Sequence, residues 1–287
     1  MSSTANDVNA AQIEHWNGPA GETWVKLQTR LDAQLAPLGH LAMDGAGLRP
    51  GESVLDVGCG TGATTLELSR RVSPNGKVVG IDISRPMLSF ARQRLEAAGF
   101  PQTRFEEGDA QTRRLSEGGF DLVFSRFGVM FFADPVAAFK NLRAALNERG
   151  RLSFVCWRRV ADNPWVAVPM AAAFQHIPQP PPSPPGGPGE FSFAERERVH
   201  DILARAGFKD ITIEAKDMLV GGASLDVTVD TTLAMGPIAA ALREADPVKR
   251  EPVAHALRQA FAPYENADGV RLGAGVWLAR ARSENQK

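Results

Sequence analysis

Three glycines at every second position, Gly58, Gly60 and Gly62, follow the short run Val54-Leu55-Asp56-Val57. Glycine reaches backbone angles closed to other residues and lets a ligand lie against the main chain. The run before them has β-branched residues and no helical spacing, as a buried strand does. Ala63 to Val72 then has helical spacing. A strand, a glycine turn and a helix N-terminus make a site for a nucleotide-like or carboxylate-bearing ligand, and the turn's amides are expected to point outward without partners. A second acid, Asp82, lies 20 residues beyond Gly62, at the end of the apolar run Lys77–Asp82. At that distance it can accept both hydroxyl protons of a ribose. It can equally cap the helix that begins near Arg85-Pro86, unless Ser84 supplies that cap and leaves Asp82 for a ligand.

The elements that hold these residues can be read in order. Gln12 to Leu38 is helical material broken at Gly18-Pro19, and Leu41 to Leu48 is a short helix of its own. Strands are expected at 54–57, 77–82, 103–108, 120–125 and 151–157, with helices at 63–72, 86–98 and 135–146. Asp134-Pro135 is an N-cap followed by proline at the first helical position. Strands alternating with helices predict a parallel, doubly wound α/β sheet with ligands outside the strand C-termini.

The spacing G-x-G-x-G differs from the G-x-G-x-x-G of dinucleotide enzymes. L-D-V-G-C-G-T-G at 55–62, V-V-G-I-D-I-S at 78–84, E-G-D-A-Q at 107–111, F-D-L-V-F-S-R-F at 120–127 and L-R-A-A-L-N-E-R-G-R-L at 142–152 resemble successive motifs of class I methyltransferases that use S-adenosylmethionine (SAM). The nearest branch is the small-molecule one of the UbiE-type ubiquinone-biosynthesis enzymes. The resemblance covers the middle third of the chain. It implies a Rossmann-like methyltransferase sheet of seven strands, closed by an antiparallel hairpin of the last two. It also implies a SAM site, with S-adenosylhomocysteine as product and no metal. The residues it points to are Asp56, Gly58, Cys59, Gly60, Asp82, Ile83, Met87, Asp109, Ala110, Gln111 and Ser125, with Asp109 on the adenine amine. Asp109 could instead be a capping aspartate.

Residues 1–48 are expected to form an N-terminal helical lid and 49–160 the SAM-binding core. Met1 to Val8 are expected to be disordered. Residues 161–194 read as a cap insertion containing the Pro-rich stretch 177–189, which suits an extended connector or flap. Residues 195–287 complete the core, with a helical insertion at about 222–270. Trp16 and Trp24, on either side of the Gly-Pro break, fit a lid that excludes water, or a helical hairpin packed on the sheet. His15 lies in the same segment.

Composition excludes several classes. Lys and Arg number 32 against 33 acids, so no basic surplus marks a nucleic-acid binder. No apolar run approaches the ~20 residues of a membrane span. The first ten residues are polar and lack the apolar core of a signal peptide. Cys59 and Cys156 give neither a disulfide framework nor a metal cluster, so a cytoplasmic location is expected.

Methyl transfer from a sulfonium is an in-line displacement that needs positioning and a deprotonated acceptor. His15, Asp162 and His176 are candidate bases because the expected caps carry them. Arg126 follows the fourth strand and could pair with an anionic acceptor, stabilise a phenolate or enolate, or form a salt bridge within the lid. Phe127, Met130, Phe131 and Trp165 suggest an apolar or aromatic acceptor pocket, although such residues also serve as core. The expected reaction is methyl transfer to a small, apolar or aromatic acceptor. An RNA or protein methyltransferase and a non-catalytic SAM-binding protein are the alternatives. The oligomeric state does not follow from the sequence.

Overall fold

A computed structural model describes residues 9–115, 119–181 and 186–283. The expected disorder of Met1 to Val8, and residues 182–185 of the Pro-rich stretch, lie outside the described residues.

The chain opens with α1 (Ala10–Asn17), α2 (Pro19–Lys26) and α3 (Gln28–Gly45). The Gly18-Pro19 break is present, with Pro19 at the first helical position. No break separates Leu38 from Leu41: α3 runs through Pro37 and buries Leu31, Leu35, Leu38, Ala42 and Met43 along one stripe. That continuous stripe against the core outweighs the one backbone hydrogen bond a proline removes.

The sheet comprises β1 (Ser53–Val57), β2 (Lys77–Asp82), β3 (Thr103–Glu107), β4 (Phe120–Arg126), β5 (Leu146–Trp157), β6 (Lys209–Ala223), β7 (Glu265–Asn266) and β8 (Gly269–Arg282). Its order is β3-β2-β1-β4-β5-β8-β6, with the two-residue β7 paired to β8. The expected seven strands are thus present, and β7 adds a short eighth. Strands β1 to β5 pair in parallel, whereas β8 runs antiparallel to both β5 and β6. Strand β5 starts at Leu146, earlier than expected, because Leu146 pairs with Phe120 across a register shift.

Helices cover both faces. The connecting helices are α4 (Ala63–Val72), α5 (Arg85–Ala98), α6 (Pro135–Ala145) and α8 (Arg196–Arg205). Neighbouring residues of one strand point to opposite faces. On β5, the Ser153 hydroxyl donates to the Ala42 carbonyl of α3, while the Phe154 ring meets Phe139 of α6. α6 begins as expected, with the Asp134 carboxylate accepting from the Ala137 amide.

Beyond the sheet, β6 and β8 continue as a two-stranded ribbon that pairs as far as Ala223 and Val270. Helices α7 (Pro164–Ala173), α9 (Leu225–Ala234), α10 (Gly236–Glu244) and α11 (Arg250–Phe261) gather on it. They enclose a core of their own, in which Ala173, Val229, Leu233, Ile238, Val253, Leu257 and Phe261 are buried with Val270 and Leu272 of the ribbon. The two insertions after Trp157 therefore form one cap. Among the described residues no single helix is long and apolar enough to cross a membrane. The bent pair α9–α10 passes that test jointly, by length and composition only, and buries apolar side chains inside the cap.

Candidate functional site

The glycine turn is shaped by close backbone approach. Gly58, Gly60 and Gly62 all have positive φ, at 69°, 53° and 82°. A Cβ on Gly58 would sit 2.6 Å from the Gly128 Cα, which closes the position to any larger residue. A Cβ on Gly60 would meet only the Met87 sulfur, at 3.6 Å, so that residue faces open space. The turn's amides are not free, contrary to expectation. Gly58 and Cys59 donate to the Ile81 carbonyl, Gly62 donates to Cys59, and Gly60 donates to the Asp82 carboxylate at 2.8 Å. The turn folds back over the end of β2, and satisfying these buried donors there stabilises its shape.

Asp82 is the hinge of this arrangement. One carboxylate oxygen accepts from Gly60 and the other from the Ser84 amide at 2.8 Å. Burial pushes its carboxyl up, against the pull of these amides. Ser84 occupies the N-cap position of α5 without a capping hydrogen bond. Its hydroxyl donates instead to the Trp16 carbonyl at 2.7 Å, tying the N-terminal helices to the site. Asp82 is thereby fixed just before α5 without capping it, and it lines the cavity beyond.

That cavity lies outside the C-termini of β1, β2 and β4. Gly58, Cys59, Gly60, Asp82, Ile83, Met87, Asp109, Ala110, Trp16 and Trp24 line it, as do Arg126, Phe127 and Phe131. Three expected contacts lie behind its wall. Asp56 is fully buried and accepts from the Thr64 and Thr65 hydroxyls at 2.7 and 2.6 Å. Burial pushes its carboxyl up to about 6, with those hydroxyls opposing. The Ser125 hydroxyl donates to Val57 and accepts from Gly128, fixing β1 against the exit of β4. Gln111 uses its side-chain carbonyl to accept from the Asp134 amide. Each of the three side chains bonds within the protein and lies off the cavity wall, although one Asp56 carboxylate oxygen is buried with no hydrogen-bond partner among the described residues.

Sequence reasoning missed two side chains here. Asn9 donates to the Asp109 carboxylate at 2.6 Å and accepts from the Ala133 amide at 3.1 Å. Gln12 lines the cavity with a buried carbonyl oxygen that has no hydrogen-bond partner among the described residues. Nothing local in the sequence marks either residue.

Arg126 lines this first cavity and has no ion-pair or hydrogen-bond partner among the described residues. Burial lowers the proton affinity of its guanidinium, while the charges of Asp32 and Asp56 raise it. His15 lines neither this cavity nor the next; it is exposed and packs edge-on against Trp16. Partial burial, and then the charge of Arg243, hold its imidazole below the ordinary range. Asp162 pairs with Arg158, and exposed His176 also lies away from both cavities. None of the three candidate bases faces a cavity.

A second, larger space lies between the sheet and the cap. Phe127, Met130, Phe131 and Trp165, the four expected acceptor contacts, all line it. Trp157 stacks on Phe127 with ring centroids 4.0 Å apart, and Trp165 follows at 4.8 Å. Phe127 has φ of 68°, uncommon for a bulky residue, where the chain leaves β4. Trp16, Trp24, Leu35, Phe127 and Phe131 line both spaces and so form their shared wall. Trp165 is set by Asn163, a fully buried residue whose side-chain oxygen accepts from the indole at 2.9 Å and from the Gly275 amide at 2.9 Å. Among the described residues, Arg30 and Glu190 are the charged side chains on this second wall.

Residues 48–178 match the family described as "Methyltransferase domain". Among curated proteins, the chain is 35% identical over 102 residues to demethylmenaquinone methyltransferase of Lactococcus lactis, covering 36% of this chain and 40% of that one. It is 34% identical over 118 residues to aklanonic acid methyltransferase DauC of a Streptomyces species, covering 41% and 54%. In each case it spans well under two thirds of the relative. Among solved structures, the YcgJ protein of Bacillus subtilis superposes with a TM-score of 0.57 at 17% identity, over 88% of this chain and 100% of that one, which is a likeness of fold. The matched residues 48–178 carry the glycine turn, Asp82 and Asp109, so the likeness to methyltransferase domains falls on the segment that lines the first cavity.

Proposed function

We propose that the chain transfers a methyl group from SAM to a small, apolar or aromatic acceptor. The observation that carries this reading is the pair of cavities with a shared aromatic wall, one at the glycine turn and one under the cap. The first suits SAM. Asp82 offers lone pairs to a ribose, Asp109 and Ala110 an edge for adenine, and the space in front of Gly60 admits the ligand's chain. The orphaned Gln12 oxygen supplies an acceptor for a bound ligand's donor, and Arg126 complements its carboxylate rather than an acceptor's charge. When bound, SAM supplies an activated methyl group. The protein's own work is to orient the two reactants, exclude water with the Trp16–Trp24 segment, and leave the transferring carbon near aromatic faces that suit a cation.

The apolar second wall favours a small molecule over RNA or a protein segment. The acceptors named for the two curated relatives, a menaquinone precursor and aklanonic acid, support that reading. The two cysteines, both buried and unpaired, suit a reducing cytoplasm. We read residues 1–48 as the lid and the cap helices as the acceptor-binding insertion. Calorimetry with SAM and S-adenosylhomocysteine tests the cofactor reading. Wild type should bind, and Asp82→Ala should weaken binding about 100-fold, the size expected for losing two hydrogen bonds to a charged group. Equal binding by both proteins would overturn it.

A further inference from the structure

Glu190 is the one carboxylate on the wall of the second cavity. The chain around it is pinned from both sides to a single atom of the β4 exit. The Gly189 amide donates to the Met130 carbonyl at 3.1 Å, and the Ser192 hydroxyl donates to the same oxygen at 2.6 Å. Glu190 is therefore held beside Met130, on the same exit that carries Phe127 and Phe131 into the shared wall. Its side chain is exposed where it opens on the cavity, and it has no hydrogen-bond or ion-pair partner among the described residues. A lone carboxylate on a mainly apolar wall leaves acceptor capacity that a ligand's donor can take up.

The surroundings narrow that donor. The facing walls are the Trp157, Trp165 and Phe127 rings and the apolar ribbon residues Val220 and Leu272. The other ionisable group on the cavity is Arg30, whose guanidinium donates to the Thr231 hydroxyl at 3.3 Å. Its positive charge, added to that of a sulfonium across the shared wall, disfavours a cationic ligand. Flat aromatic walls with one lone acceptor suit an uncharged ring bearing a hydroxyl group. Burial also holds the Glu190 carboxyl above its ordinary range, and so closer to the proton affinity a base needs at neutral pH.

We propose that Glu190 is the proton acceptor of the reaction, and that the acceptor substrate is a hydroxyaromatic or enolic compound whose hydroxyl donates to it. In the step, the hydroxyl O–H bond breaks and its proton passes to a Glu190 oxygen. An oxygen lone pair forms the new O–CH3 bond, and the electron pair of the S–CH3 bond stays on sulfur, leaving the neutral thioether. Glu190 then returns the proton to water. The assignment rests on the methyltransferase reading but concerns the second cavity alone.

The test separates the two. Calorimetry measures 2-naphthol, 2-methoxynaphthalene and 2-naphthylmethylamine binding to the full chain, with and without S-adenosylhomocysteine. The naphthol should bind wild type about ten-fold more tightly than its methyl ether, since only the naphthol can donate to a carboxylate. In Glu190→Leu the two should bind alike, and in Glu190→Asp part of the preference should remain. The wild-type preference should shrink as pH falls and Glu190 takes up a proton. S-adenosylhomocysteine affinity should be the same in all three proteins, because Glu190 lies outside the first cavity; this also shows that the variants fold. Equal naphthol and ether binding to wild type, a preference that survives in Glu190→Leu, or no binding of any probe would each overturn the proposal. Tightest binding of the amine would overturn it too, by assigning Glu190 to a cationic acceptor. Failure of S-adenosylhomocysteine to bind would count against the cofactor reading only.

Discussion

The two cavities are built in opposite ways. The first has a floor of three consecutive turns at the ends of β1, β2 and β3, each a few residues long, held by backbone-to-carboxylate hydrogen bonds. The second is assembled from α2–α3, the β4 exit, α7, the β6–β8 ribbon and α9–α10, and its wall is mainly apolar surface. One uses local geometry to present polar groups to a ligand of fixed structure. The other uses distant pieces of chain to enclose volume, so its shape can change without disturbing the first. The separate hydrophobic core of the cap is the physical form of that independence.

The sharpest way to break the comparison is to damage the cap. Phe261 is buried in the cap core and lies on the second cavity. Phe261→Ala should cost about 4 kcal/mol of stability, as large-to-small changes at packed aromatics do. If the cap is a body of its own, denaturant unfolding of the variant should split into two steps, and affinity for S-adenosylhomocysteine should stay within two-fold of wild type. A single transition with cofactor affinity lost in parallel would mean that the two regions are one cooperative unit.

The next prediction sharpens the first region. The cofactor floor hides Asp56 behind its wall, with a carboxyl raised from 3.8 to about 6. A folded-state value above the unfolded one means that the folded protein holds a proton which the unfolded chain has released. Stability should therefore be greatest below about pH 4, fall as pH rises from there to about 6, and level off above. The full change is about 3 kcal/mol at 1.36 kcal/mol per pH unit. Asp82, raised in the same direction, adds to it. Urea midpoints measured across this range should slope in wild type and lose most of the slope in Asp56→Asn, which keeps an oxygen for the Thr64 and Thr65 hydroxyls. An unchanged slope would remove Asp56 from the account.

The same contrast decides what was legible in the sequence. Gly58, Gly60, Gly62, Asp82 and Asp109 stand at fixed offsets from predictable strands, so the first cavity could be read almost residue by residue. Errors there concerned where polar groups point: the turn amides satisfied by Ile81 and Asp82, and the Ser84 hydroxyl drawn to Trp16. The parallel, doubly wound sheet followed from the alternation of elements, but the union of the two insertions into one cap did not, because Ala173 and Leu257 share a core across more than eighty intervening residues. Phe127, Met130 and Phe131 on the second cavity's wall were legible from their place after β4. Glu190 was not, since it is defined by what faces it across a cavity and sits in no motif.

Asn9 gives the smallest effect, at the seam between the lid and the first cavity. It bridges Asp109, 100 residues away, and Ala133, 124 residues away, so it joins the β3 exit to the β4 exit from outside the sheet. Its neighbour in space, Asp109, already accepts from the Gln111 amide at 2.8 Å, so the aspartate keeps a local partner when Asn9 is removed. Asn9→Ala should therefore leave the fold intact and cost about 1 kcal/mol, the usual size of a partly buried hydrogen bond. The loss should fall on the cofactor rather than on the cap: about five-fold weaker S-adenosylhomocysteine binding by calorimetry, with naphthol affinity unchanged. If both affinities fell together, the lid would have to be counted as part of the second cavity's frame, and the division between a locally built site and a remotely assembled one would run through the lid rather than beneath it.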